Sequence, residues 1–256
     1  NYLINTNLNY KVVTSAMSLG CGLLELTNKM PDKIIDVGIA EENAVEIASA
    51  LASNNLTPIV FIYSTFLQRA YDQIVHDVTR TNQHVVFCID RAGIVEADGD
   101  THQGIFDISY LLPLPNMTIL APSTVQNAVK CLEYAMNYEG PIAIRYPKYL
   151  PHGSSDFIPN KWLIEQPLND VNVLSYGSDI ENLKSILKNK NVDRILSYST
   201  IDNELAYIGV LKDKSGLVKM YYMVNVKDYG KVVVADSREA CVTKYAEKLG
   251  LNINED

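Results

Sequence analysis

The residues that could do chemistry gather where apolar runs end. Glu41 and Glu42 lie just beyond Ile34-Ile35-Asp36-Val37, and Tyr63 and Ser64 close the run that begins at Pro58. Asp90 and Arg91 follow Val85-Val86-Phe87-Cys88-Ile89, and Arg145 and Tyr146 follow Pro141-Ile142-Ala143-Ile144. From Ala92 to Gly104 runs a segment dense in titratable groups: Glu96, Asp98, Asp100 and His102. Open parallel sheets bind ligands beyond the carboxyl ends of their strands. If the apolar runs are such strands, acids, a histidine, two arginines and two tyrosines converge on one edge. A long loop rich in titratable groups at that edge suits substrate binding.

Each residue also has a plainer use. Glu41 or Glu42 could be a favourable charge at a helix N-terminus, and for Glu42 this is the better reading. Phe66 could be an apolar lid on its helix. His102 could cap a helix starting near Ile105. Asp98-Gly99 is a common turn dipeptide. Arg145 could pair with an acid on a neighbouring loop.

The elements that would position these groups alternate in type. Residues 34–37, 58–63, 85–89, 117–120 and 141–144 read as continuously apolar strands. Between them, residues 41–53 read as a helix ending near Asn54-Asn55. Leu67, Ala70, Tyr71, Ile74, Val75 and Val78 make one apolar helical face, with Thr65 and Gln68 as its capping box. Val125, Ala128, Val129, Leu132 and Met136 give another, with Ser123 and Gln126 as the box. Strands alternating with helices imply an α/β fold with a parallel sheet covered on both faces. Pro151, Gly153, Pro159 and Pro167 then break the rhythm. A weaker α/β pattern follows, with strands at 171–176, 194–198, 218–224 and 231–235 and helices at 180–187, 203–210 and 239–249.

Bulk properties narrow the classes. The 256 residues suit one large domain or two modest ones. A net charge of −8 argues against a nucleic-acid or anionic-membrane partner, both of which need clustered cations. Cys21, Cys88, Cys131 and Cys241 are too far apart for a CxxC clip and read as buried thiols in a reducing compartment. No apolar run is long enough to span a bilayer. There is no GxSxG, P-loop, HExxH or GxGxxG. A cytoplasmic protein is expected, or one of a plastid-like organelle if a transit segment has been removed. The first residue is Asn1, so a larger parent protein is an open expectation.

The motifs themselves go further. Asp36-Val37-Gly38-Ile39-Ala40-Glu41 resembles the glutamate motif of the transketolase superfamily's pyrimidine-binding domain. The run Tyr63-Ser64-Thr65-Phe66-Leu67-Gln68-Arg69-Ala70-Tyr71-Asp72-Gln73 is similar to the signature of the deoxyxylulose-phosphate synthase family in particular. So are Asp90-Arg91-Ala92-Gly93, Asp98-Gly99, Thr101-His102-Gln103-Gly104 and Arg145-Tyr146-Pro147. Asn43 stands where that family usually has His, and Tyr149 where it usually has Gly. The resemblance implies an arm at 1–10, a pyrimidine-binding domain at 11–147, a linker at 148–170 and a shortened C-terminal-like domain at 171–256.

It also implies roles. Glu41 would hold N1′ of thiamine diphosphate and favour the tautomer that removes the thiazolium proton, so the base is supplied through the cofactor. Phe66 would stack on the pyrimidine, with Tyr63 beside it, and help keep Glu41 dry. Tyr63, Arg69, Asp98, His102 and Arg145 would line the substrate pocket. The two arginines suit the phosphate of D-glyceraldehyde 3-phosphate, and His102 suits proton transfer or holding the pyruvate-derived unit. The family's Gly-Asp-Gly motif for diphosphate and Mg2+ is absent from this chain, so an N-terminal half and a dimer are implied partners, and no metal ligand is expected here. Two other readings are a 2-oxo acid dehydrogenase E1 β-type subunit and a degenerate, non-catalytic partner protein.

Overall fold

The computed structural model describes residues 2–95 and 98–153 continuously, then 157, 159, 163–164, 172–178, 180, 194–198, 200–201, 210–212 and 218–220. The chain divides into two compact units, Asn1–Lys161 with Ser199–Asp202, and Trp162–Tyr198 with Asn203–Asp256.

The first unit is built on six mutually parallel strands, the α/β architecture that the alternating pattern implies. They are β1 (Tyr10–Thr14), β2 (Ile34–Asp36), β3 (Thr57–Tyr63), β4 (Val86–Asp90), β5 (Thr118–Leu120) and β6 (Ile142–Arg145). Their order across the sheet is β2-β1-β3-β4-β6-β5, and a short antiparallel strand, Thr200–Ile201, extends it beyond β5. All five residues of β4 are buried, as burial on both faces demands of a central strand.

The amino-terminal strand is a finding. Polar neighbours hide Tyr10–Thr14 in the sequence, yet Tyr10, Val12 and Val13 are fully buried. Residues 2–5 form a short helix, α1 (Tyr2–Asn5), whose Leu3 is buried and whose carbonyl accepts the Tyr10 hydroxyl at 2.6 Å. The remaining helices of this unit are α2 (Leu24–Lys29), α3 (Glu41–Ser53), α4 (Ser64–Leu67), α5 (Tyr71–Gln73), α6 (Asp107–Leu111) and α7 (Val125–Ala135).

Two expected helix starts are corrected. β3 passes straight into α4 at Ser64, with extended Tyr63 as the N-cap and no side-chain cap. Thr65 therefore lies inside the first turn, and its hydroxyl donates to the Thr101 carbonyl at 3.0 Å instead of capping. For α7 the cap is Thr124, one residue later than expected, which accepts from the Asn127 amide. Gln126 binds the Gly153 amide instead. The expected single helix over 67–78 is also a composite: a 3-10 turn at Gln68–Ala70 precedes α5, and a π-helical stretch, Ile74–Thr79, follows it. Leu67, Ala70, Ile74 and Val78 form its buried face, while Tyr71 turns partly to solvent.

In the second unit, β8 (Asn172–Tyr176) pairs in parallel with β9 (Arg194–Tyr198), and β7 (Leu163–Ile164) pairs antiparallel with β9. Val210–Lys212 and Val218–Met220 form a hairpin. Of the expected helices at 180–187 and 203–210 only the end residues are described: Ile180 is helical, whereas Val210 belongs to the hairpin strand, a correction at that position. The rest of both helices, the helix at 239–249, the strand at 231–235 and Cys241 lie outside the described residues.

Candidate functional site

Register fixes who meets whom at the carboxyl edge. Tyr63 pairs laterally with Asp90, and Arg145 with Ile89, so the ends of β3, β4 and β6 lie side by side. Thr14 pairs with Asp36 and Phe61, bringing the connection into α3 alongside. The connections leaving this edge carry Glu41, Phe66, Arg69, Asp98 and His102, while Tyr63, Asp90 and Arg145 stand at the strand ends themselves; Glu96 lies outside the described residues.

Glu41 opens α3 and is 2% exposed. A buried carboxylate needs compensation. The helix N-terminus supplies part of it, and Arg69 the rest, through Nη1 to Oε1 at 2.6 Å. The same guanidinium lies over the Phe66 ring, with Cζ 4.8 Å from the centroid. Glu42, by contrast, is exposed.

Phe66 is the hub of an aromatic shelf. Tyr63 stacks near-parallel to it at 5.8 Å between centroids, and His102 meets it edge-on at 5.2 Å. His102 does not cap a helix: α6 starts at Asp107 with Phe106 as N-cap and no side-chain bond. Its Nδ1 lies 3.0 Å from the Thr101 hydroxyl. Burial pushes the Tyr63 phenol above its usual range, so it is a hydrogen-bond donor at neutral pH. The Tyr63 hydroxyl sits where a side chain on residue 20 would be, and only Gly20 leaves that space open.

The loop over 92–104 is closed at its base. Gly93 and Gly104 exchange backbone hydrogen bonds of 2.6 and 2.8 Å. A Cβ at Gly104 would stand 2.1 Å from the Arg91 carbonyl oxygen, so this closure requires glycine. Gln103 braces the interior, bonding both the amide and the carbonyl of Val95 and the Gly99 carbonyl.

Arg91 ties this loop to the rest of the edge. Its backbone is left-handed, φ 57°, an uncommon state for a non-glycine residue and one found at functional sites. Its side chain bonds Asp90, Asp98 and the Gly20 carbonyl and stacks on Tyr63 at 3.9 Å. Asp98 also takes a charge-assisted hydrogen bond from Lys148. That bond, helped by Arg91, holds the Asp98 carboxyl below the usual carboxylate range.

Arg145 makes the ion pair that was its plainer alternative. Nε and Nη2 donate to the two oxygens of Asp107 at 2.8 and 3.3 Å. Asp107 is 1% exposed. Asp107 and Lys148, and the central place of Arg91, escape the sequence reading. The one available signal was the adjacency of Lys148 to the Arg145-Tyr146-Pro147 run.

Among the described residues no group of three or more His, Cys, Asp or Glu side chains could hold a metal ion, and no helix is long and apolar enough to cross a membrane. Burial pushes the Cys21 thiol up to about 12, and Cys88 and Cys131 are raised by the same cause, so none is a ready nucleophile. For an aminopyrimidine, the fit is favourable. A planar, N–H-donating guanidinium already sits between a buried carboxylate and an aromatic face, the two contacts such a ring needs.

The chain belongs to the family described as the transketolase pyrimidine-binding domain, which matches residues 5–152. It is similar to 1-deoxy-D-xylulose-5-phosphate synthase of Clostridium tetani, 45% identical over 75% of this chain and 33% of the relative. It is likewise similar to the protein of that name from Macrococcus caseolyticus, 48% identical over 68% of this chain and 29% of the relative. The chain thus spans about a third of the length of these relatives. A solved structure described as a split gene transketolase, inactive beta4 tetramer, shares the fold with a TM-score of 0.68, 22% identity, and coverage of 78% of this chain and 68% of that one.

Proposed function

We propose that this chain is the aminopyrimidine-binding part of a thiamine-diphosphate active site. Its reaction is the decarboxylative condensation of pyruvate with D-glyceraldehyde 3-phosphate, giving 1-deoxy-D-xylulose 5-phosphate and CO2. The observation that carries this reading is the pairing of Glu41 with Phe66 through one flat group: Glu41 is only 2% exposed, and the Arg69 guanidinium that bonds its carboxylate also lies over the Phe66 ring. We call the space that guanidinium fills the Glu41 notch.

When bound, thiamine diphosphate supplies a nucleophilic carbon and an electron sink for the loss of CO2. The residues here bind and orient. Glu41 holds N1′ of the pyrimidine and controls the proton at that nitrogen, while Phe66 gives the ring a face and keeps water from the carboxylate. Tyr63 packs beside Phe66 as part of the same shelf. His102 meets Phe66 edge-on, and in this reading it exchanges a proton with the substrate or holds the pyruvate-derived unit. Arg69, Asp98 and Arg145 complete the substrate pocket, with the arginines serving the phosphate. Arg145 would act from a fixed position, because Asp107 grips it at two points.

The diphosphate and Mg2+ are assigned to an N-terminal half. Support for such a partner comes from an apolar rim on the connections that leave the carboxyl edge. Leu19, Ile39 and Ile94 are 78%, 84% and 84% exposed, and Ile105 and Phe106 also face solvent. Exposed side chains of this kind, ringing a polar centre, fit a protein surface that is covered in the working assembly. A dimer in the cytoplasm follows from the same reading.

Calorimetry with thiamine diphosphate and Mg2+ tests it, on this chain by itself and mixed with the N-terminal part of the Clostridium tetani synthase. Binding in the mixture, lost on Glu41→Ala, is the expected result. Binding that survives Glu41→Ala, or no binding in the mixture, sinks it.

A further inference from the structure

This inference rests on the aminopyrimidine reading of the Glu41 notch and concerns what occupies that notch before the ring arrives. An aminopyrimidine held there would make two contacts: a hydrogen bond to Glu41 and a stack on Phe66. In this structure a single side chain makes both. Arg69 donates from Nη1 to Glu41 Oε1 at 2.6 Å, and its Cζ lies 4.8 Å from the Phe66 centroid. A guanidinium is flat, delocalised, stacks on aromatic faces and offers N–H groups in its plane. In shape and bonding it copies the edge of a protonated aminopyrimidine. A ring that stacks on the Phe66 face which Arg69 covers, and bonds Glu41 from there, must take the space the guanidinium fills.

We infer that Arg69 is a placeholder, which fills the aminopyrimidine position in the ligand-free chain and withdraws when the ring binds. The two partners of the pair are unequal in a way that suits this. The Glu41 side chain is 3% exposed and fixed at the start of α3, whereas that of Arg69 is 49% exposed. Arg69 sits on the 3-10 turn Gln68–Ala70, anchored by buried Ala70, so its long side chain can swing to water without moving the backbone. While in place it balances a buried carboxylate. Once out, it is a solvent-side cation at the mouth of the site, the position proposed for it toward the substrate phosphate. The placeholder lowers the apparent affinity for the ring, because part of the binding free energy goes into breaking its two contacts.

The test uses thiamine, which carries the aminopyrimidine but needs no diphosphate anchor. Isothermal titration compares the wild-type chain with Arg69→Met, Arg69→Gln and Glu41→Ala. Arg69→Met keeps an aliphatic stem and removes the planar donor; Arg69→Gln is a second variant should the first not fold. Both are expected to bind thiamine about tenfold more tightly than wild type, a change of about 1.4 kcal/mol. Thiamine should also raise their melting temperature by more than it raises that of the wild type. Glu41→Ala should not bind. Equal or weaker binding by both Arg69 variants, with Glu41→Ala still inactive in binding, overturns the placeholder and leaves the pyrimidine site standing. No binding by the wild type or either Arg69 variant, alone or mixed with the N-terminal part of the Clostridium tetani synthase, overturns the pyrimidine reading and the placeholder with it.

Discussion

Glu41 and Asp107 are almost equally buried, at 2% and 1% exposed, and each meets an arginine at the same sheet edge. Their partners differ. Arg145 grips Asp107 with two donors, and its own side chain is 13% exposed. Arg69 reaches Glu41 with one, and is half in water. Asp107 lies in a buried, bidentate pair of the kind that fixes structure. Glu41 is a buried acid whose partner can leave, and that is the condition for exchanging it for a ligand. Burial of a carboxylate does not by itself mark a catalytic group; the mobility of what balances it is the more telling property.

Substitution can separate the two pairs. Arg145→Ala strands a buried charge on Asp107 and should cost about 3–5 kcal/mol of stability, read as a fall in the urea midpoint. A loss under about 1 kcal/mol would erase the contrast. Arg69→Met removes a half-exposed partner whose place water can take, and should lower stability by about 1 kcal/mol or less. If it costs as much as Arg145→Ala, Glu41 is as structural as Asp107. Phe66→Ala removes the ring face from the Glu41 side, weakening thiamine binding by about 0.5–1.5 kcal/mol in calorimetry.

The smallest effect concerns pH. Lys148 and Arg91 hold Asp98 below the usual carboxylate range, so the unfolded chain takes up that proton first. The stability Asp98 contributes is intact above its unfolded value, about 3.9, and is lost as pH falls through the lower folded one. Asp98→Asn should therefore flatten the acid limb of the stability curve below about pH 4. An unchanged limb would remove Asp98 from the ion-pair network.

Much of this edge was legible in the sequence. The strand ends carrying Tyr63, Asp90 and Arg145, and the glycine-bounded loop with His102, follow from apolar runs and turn residues, which are local signals. The pairings were not. Arg69 meets Glu41 across 28 residues, Arg145 meets Asp107 across 38 and Lys148 meets Asp98 across 50. Those contacts exist only once the parallel strands are in register, and nothing near either partner announces them. β1 is hidden for a different reason: its Asn-rich lead-in and Lys11 mask a five-residue strand, four residues of which are buried once it lies between β2 and β3. The cap of α7 falls one residue beyond the expected Ser123 because Ser123 and Thr124 are both good caps, and the backbone decides between them.

The claim that Glu41 serves the cofactor is tested most directly by pyruvate turnover. The chain is mixed with the N-terminal part of the Clostridium tetani synthase, thiamine diphosphate, Mg2+ and D-glyceraldehyde 3-phosphate, as wild type and as Glu41→Gln. The account predicts formation of 1-deoxy-D-xylulose 5-phosphate by the wild type and a loss of about 10²- to 10⁴-fold in the variant, with folding intact. Turnover by Glu41→Gln at the wild-type rate would contradict it.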